Sequence, residues 1–276
     1  MQEVVIPPLP GVVAEVIRFD ANDPKNGAAD LERLITPDKA ISAEILRISN
    51  SAFYGRSGKV KLLKEALAVL GIKATKNLVI YLSTRTMAPN YKSEAFKRYL
   101  KKYPIFAALT AQNIALATPT LKAQADEGFL GALLHSIGMN IMALQKGGHY
   151  SDMIDACEKN KWELLRLEKQ SYGTTHTELG KQAAETWKLP PMFSRLMEIS
   201  PGSEPSTLND PMEQLTFIAS VVAALLVAMP VGDAAKKNAQ DIYTKLGGSG
   251  DLLARYAAPD ALKRLESHPF TQLAMG

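Results

Sequence analysis

Apolar residues return along this chain at intervals of three and four almost throughout, the spacing that gathers them on one face of an α-helix. Val12, Val13, Val16 and Ile17 share such a face just after the prolines Pro7, Pro8 and Pro10. Ile41, Ile45, Leu46 and Ile48 make a second stripe, which stops at Asn50-Ser51. Leu63, Ala66, Leu67 and Leu70 make a third, closed by Gly71, where glycine suits the left-handed position after a helix. Leu78, Val79 and Leu82 continue the pattern; 78–83 is the one run with much strand character, and it reads equally well as helix. Short helices with short links predict a compact N-terminal bundle ending near Pro89.

A longer helical pattern covers about 93–117 with Pro104 inside it. Proline lacks the backbone donor and crowds the preceding turn, so a kink or break is expected there. The next helix, about 127–145, is apolar on nearly all sides, as a central helix should be. Gly138 within it implies that another backbone packs closely. Thr175-x-x-Glu178 matches a capping box and puts His176 in the first turn of a helix that runs to about Trp187. Leu189-Pro190-Pro191 interrupts the chain before a short helix, and 200–211 reads as a linker. Helices resume over about 212–229 and 233–246, Gly247-Gly248-Ser249-Gly250 makes a flexible break, and short helices follow. The predicted class is all-α, without a repeat of fixed period.

Composition changes this picture little. With 276 residues, 46% hydrophobic and 22% charged, the chain suits one large or two small globular domains with a real core. Its net charge, 32 − 28 = +4, is too small to demand nucleic acid as partner. Local basic clusters at Lys97, Arg98, Lys101 and Lys102, and at Lys59, Lys61 and Lys64, read as solvated helix faces. A single cysteine, Cys157, rules out an intrachain disulfide and fits a reducing compartment. The start, MQEVVIPPLP, lacks the basic-then-apolar order of a secretory signal. The longest apolar run, 217–230, is shorter than a bilayer crossing and reads as a buried core helix. A cytoplasmic protein with no membrane span is expected.

Chemistry concentrates at 131–140, GALLHSIGMN, where His135 sits in an apolar helix. A histidine followed by aspartate there would suggest a metal-dependent phosphohydrolase. Here Ser136 follows, which keeps the scaffold and removes a hard oxygen ligand. Further motifs accompany it: Leu9-Pro10, Ile35-x-x-Asp38, Ile45-Leu46-Arg47-x-x-Asn50-Ser51-Ala52-Phe53-Tyr54-Gly55 and Ala66-x-x-x-Leu70-Gly71. Then come Gly131-Ala132-Leu133-Leu134-His135-x-Ile137-Gly138, Tyr172-Gly173-Thr174-x-His176-x-x-x-Gly180 and Trp187-x-Leu189-Pro190. In this order and spacing they resemble the HDOD domain, the bacterial relative of the HD phosphohydrolases found in signalling proteins. The likeness runs from about Ile6 to Ser200, with a looser continuation to about Val227. It implies an N-terminal helical bundle (1–90), an HD-like five-helix core (91–230) and additional C-terminal helices (231–276).

Catalytic HD proteins hold one or two divalent metals with histidines and aspartates and use them to activate water. Carried over by that resemblance, Tyr103 stands at the first histidine, His135 keeps its place, and Ser136 replaces the paired aspartate. His176 matches another histidine, Ser200 falls near a later one, and Ser220 sits where an aspartate belongs. Two imidazoles remain of a set that needs four or more donors, so no bound metal, no cofactor and no catalytic residue is expected. Glu178, Asp126 and Glu198 are the carboxylates that would have to substitute. The plainer role of His135 is a core histidine bonded to a neighbour, with His176 in contact with it.

The expected function is a non-catalytic signalling module that binds a partner protein or small regulator through His135 and His176, or through Asn50, Ser51 and Tyr54. The last three belong, with Phe53 and Gly55, to a helix end that combines polar and aromatic groups; its plainer role is to seal the bundle against the core. Relatives are often fused to receiver or diguanylate-cyclase-type domains, so input or output is expected from separate chains. The alternative is a phosphohydrolase of (cyclic) nucleotides with unusual ligands. Nucleic-acid binding is not expected. Nothing supports Cys157 as a nucleophile or 247–250 as a phosphate loop, and His149 and His268 have no assigned role.

Overall fold

Each N-terminal helix begins or ends where local chemistry requires. The computed structural model describes residues 5–9, 11–54, 59–87 and 89–275 (Thr86 by its backbone only); Pro10 and Gly55 of the motifs lie outside the described residues. Helix α1 (Gly11–Arg18) buries Val13, Val16 and Ile17, and α2 (Ala28–Ile35) buries Leu31 and Ile35. Asp38 caps α3 (Lys39–Ser49) by accepting from the Ile41 amide at 2.9 Å, and Ile41, Ile45 and Ile48 face inward. Helices α4 (Leu63–Leu70) and α5 (Ile72–Thr86) meet at Gly71, whose φ of +84° and ψ of 156° turn the chain by 110°. The run 78–83 lies inside α5 and is helical.

The break expected at Pro104 takes the form of a wider turn. Helix α6 (Glu94–Lys97) passes into a π-helical turn, Arg98–Lys102, before α7 (Tyr103–Ala117). The Tyr103 amide reaches back five residues to the Arg98 carbonyl. That wider turn makes room for the Pro104 ring, which has no N–H to give.

One expectation fails. The single helix read over 127–145 is two, α8 (Ala125–Leu134) and α9 (Ile137–Lys146), separated by a turn at His135 and Ser136. The His135 ring nitrogen Nδ1 lies 2.6 Å from the Ala132 carbonyl, the acceptor that the Ser136 amide would use in an unbroken helix. A local side chain competes with the helix for its own backbone. From Lys122 to Lys146 the most apolar window has a mean hydropathy of 1.2, enough for a membrane span by composition, yet 89% of it is buried inside the fold.

Helices α10 (Gly148–Asn160), α11 (Leu164–Tyr172), α12 (His176–Thr186), α13 (Pro191–Leu196) and α14 (Pro211–Leu226) complete the centre, where α7, α8 and α14 pack together. The capping box at Thr175 and Glu178 forms as read. Where α12 crosses α9, a Cβ on Gly138 would lie 1.8 Å from the His176 carbonyl oxygen and 2.9 Å from the Gly180 nitrogen. Helix α15 (Asp233–Lys245) packs on α14, and α16 (Leu252–Tyr256), α17 (Pro259–Ser267) and α18 (Pro269–Met275) lead back to α7 and the π turn. Phe270 stacks on Tyr81 of α5 at 6.0 Å and meets Phe129 of α8 edge-on at 5.9 Å. The N-terminal segment is tied in by the Trp187 indole, which donates to the Pro7 carbonyl at 2.8 Å. Among the described residues there is no strand, and the chain is all-α.

Candidate functional site

His135 is 1% exposed and fully bonded. Its Nδ1 donates to the Ala132 carbonyl, so its Nε2 accepts, 2.9 Å from the Tyr103 hydroxyl. Burial, opposed by the Ala132 bond and helped by nearby His176, holds the His135 ring at about 4, so it is neutral near pH 7. Ser220, fully buried on α14, donates to the Phe217 carbonyl at 2.8 Å and is close enough to bond the Tyr103 oxygen. Tyr103, His135 and Ser220 therefore come together, with the phenol taking the lone pair of the imidazole.

His176 has a different partner from the one expected. It bonds Glu168 of α11 rather than His135: Nδ1 lies 2.8 Å from one carboxylate oxygen, and the His176 amide donates to the same oxygen at 2.9 Å. Tyr150 of α10 donates to the other oxygen at 2.5 Å. Three donors thus satisfy a carboxylate that is wholly buried. With Nδ1 engaged, Nε2 is the ring atom left for ligands, and no partner for it exists among the described residues.

His176, Tyr103 and Ser200 line one cleft of about 620 Å³, beside Tyr99, Trp162 and Asn238. Trp162 is 51% exposed at its edge, whereas Tyr99 is buried with a hydroxyl that has no partner among the described residues. Cys157 also lines the cleft, but burial and the Glu168 charge push its thiol up to about 11, far from nucleophilic.

The other positions go elsewhere. Ser136 lines a separate small pocket. Asn50 clamps the chain: its amide donates to the Val60 carbonyl at 2.8 Å and accepts from the Val60 amide at 3.0 Å. Ser51 keeps a buried hydroxyl without a partner among the described residues, and Tyr54 packs edge-on against Phe53. None of these three lines the cleft. Phe53 is 60% exposed and touches His268 of the C-terminal helices at 5.1 Å, so it does not seal bundle to core. The three substitute carboxylates are engaged: Glu178 with Lys169, Glu198 with Lys181, Asp126 with Lys73. Sequence reasoning missed Glu168 and Tyr150. Glu168 follows buried Leu164 by one helical turn, and an acid on an apolar face was the available signal.

The HDOD domain family model matches residues 6–200, well over half of the chain. The chain belongs to the HDOD domain family. An HDOD domain protein of unknown function from Geobacter sulfurreducens superposes with a TM-score of 0.73 at 16% identity, covering 95% of this chain and 93% of that one. A structure from Marinobacter aquaeolei, described as a candidate signal transduction protein, gives 0.71 at 20% identity over 98% of this HDOD chain and 59% of its own. A candidate phosphohydrolase from Shewanella amazonensis gives 0.66 at 19%, covering 98% and 94%. An uncharacterized protein of Treponema pallidum is 24% identical over 185 residues, 67% of this HDOD chain; the match spans only 35% of that protein's length.

Proposed function

We propose that this HDOD chain is a non-catalytic regulatory module that binds a small regulator in the cleft beneath His176. One observation carries the reading: the Tyr103 hydroxyl, 2.9 Å from Nε2 of His135, takes the lone pair that a metal would need. A hard divalent cation requires several anionic oxygens or free imidazoles around one point. Serines stand at 136, 200 and 220, and among the described residues no three His, Cys, Asp or Glu side chains gather to hold an ion. The donor set does not fit such a metal. The cleft volume supports a small ligand, since pockets for small molecules fall in the range of about 300–1,000 Å³. His176, oriented by Glu168, offers that ligand one fixed polar contact. The same reading divides the chain at 1–90, 91–230 and 231–276 and places it in the cytoplasm.

Metal analysis of protein purified without chelators, beside a phosphodiesterase assay with added manganese, tests this reading. The expected result is substoichiometric metal and no turnover. Stoichiometric metal with turnover lost in His176→Ala would overturn it in favour of a phosphohydrolase with unusual ligands.

A further inference from the structure

The basic cluster at 97–102 resolves unevenly. Lys97 pairs with Glu94, Arg98 with Glu158 and Lys102 with Glu266. Among the described residues Lys101 pairs with no carboxylate, and its ammonium donates to the Asn90 side chain at 2.8 Å. Burial lowers its pKa, and the like charges of Arg85, at the end of α5, and Lys97 lower it further. The Arg85 guanidinium has no ion pair or hydrogen bond among the described residues. Two cations thus line one pocket, half-buried, with no carboxylate paired to either among the described residues.

Beside them lies a small pocket lined by Arg85, Lys101, Ser136, Tyr81, Thr84 and Asn140. Ser136 is 2% exposed and Tyr81 is 3% exposed, and neither hydroxyl has a partner among the described residues. A buried hydroxyl left unbonded is costly, so two in one pocket point to a missing acceptor. Ser136 sits at the N-cap of α9, where a serine ordinarily caps its helix, yet its side chain makes no capping bond. The Thr84 carbonyl already accepts from the Asn140 side-chain amide at 3.2 Å and the Met87 backbone amide at 3.1 Å. No carboxylate lines the pocket. The pocket opens to solvent, and its space of about 20 Å³ has room for about one ligand oxygen.

We propose that this pocket is an anion site that takes the phosphate group of a small molecule. Arg85 and Lys101 supply the charge at its rim, and the hydroxyls of Ser136 and Tyr81 donate to the phosphate oxygens at its floor. Two cations match a dianion, and a guanidinium, an ammonium and two hydroxyls offer more donors than the two oxygens of a carboxylate can use. This site shares no lining residue with the His176 cleft and does not depend on the regulatory reading.

The test is binding of inorganic phosphate, adenosine monophosphate and guanosine monophosphate to the whole chain, followed by thermal shift and phosphorus NMR at constant ionic strength. Saturable phosphate binding is expected, weakened by at least about tenfold in Lys101→Met and in Arg85→Gln, as loss of a charge-assisted bond implies. Ser136→Ala should weaken it less. Nucleotides that bind tighter than phosphate, with the same sensitivity to both variants, would show that the phosphate arrives on a nucleotide; equal affinities would show that it arrives free. Circular dichroism checks that each variant folds, and half-buried Lys101 gives the variant least able to disturb the core. Absence of saturable binding by all three probes, or binding that Lys101→Met leaves unchanged, would overturn the proposal.

Discussion

At the residue scale, two imidazoles behave alike under acid. Burial holds both His135 and His268 at about 4, against 6.5 for an unhindered ring. Above 6.5 both states are neutral and nothing is lost. As pH falls through 6.5 the unfolded chain takes up protons first, so stability declines until about 4 and then levels off. For wholly buried His135 that loss amounts to about 3 kcal/mol. Urea midpoints at pH near 7.5 and near 4.5 should show it, and NMR should find the His135 ring protons unmoved down to pH of about 5. An inflection near the ordinary histidine value would mean that the His135 ring is not buried in solution. The identities at this scale were partly legible. His135 and His176 stood out as histidines in apolar or capped contexts and Tyr103 through the resemblance, whereas Glu168 and Tyr150 did not, because a glutamate or tyrosine in a helix carries no mark of what it will face across the fold.

At the element scale, the crossing of α9 and α12 depends on one missing methyl. A Cβ at Gly138 would meet a backbone oxygen rather than a movable side chain. Gly138→Ala should therefore destabilise by at least the upper end of the roughly 1–3 kcal/mol typical of overpacking. Gly148→Ala, where nothing lies within 4 Å, is the control and should be neutral or mildly stabilising. Thermal midpoints of the two variants that agree would show that the helices part easily. Periodicity revealed nearly every helix, and Gly138 announced the close approach. The turn at His135 and Ser136 stayed hidden because no glycine or proline marks it; a side chain diverting one carbonyl breaks the helix without altering the apolar pattern. The reverse holds at Pro104, where the residue itself declares the disturbance.

At the scale of the whole molecule, the C-terminal helices close a seam. Phe270, 4% exposed, touches α5 through Tyr81 and α8 through Phe129, elements the sequence assigns to different parts of the chain. Phe270→Ala should cost about 3–5 kcal/mol in chemical denaturation, as large aromatic deletions in cores do. A loss under about 1 kcal/mol would place that helix on the surface as an accessory. Such long-range contacts were not legible, since helical spacing reports which face is buried and not against what.

The π turn at Arg98–Lys102 divides two rooms. Tyr99 and Tyr103 look into the cleft, while Leu100, Lys101 and Pro104 form the wall of the phosphate pocket. One residue fewer in that stretch would let the helix wind normally and swing everything ahead of it by about 100°. Tyr103 and the histidine it serves would stay in place, but Tyr99 and Lys101 would leave their walls. A single codon there holds both chambers in phase.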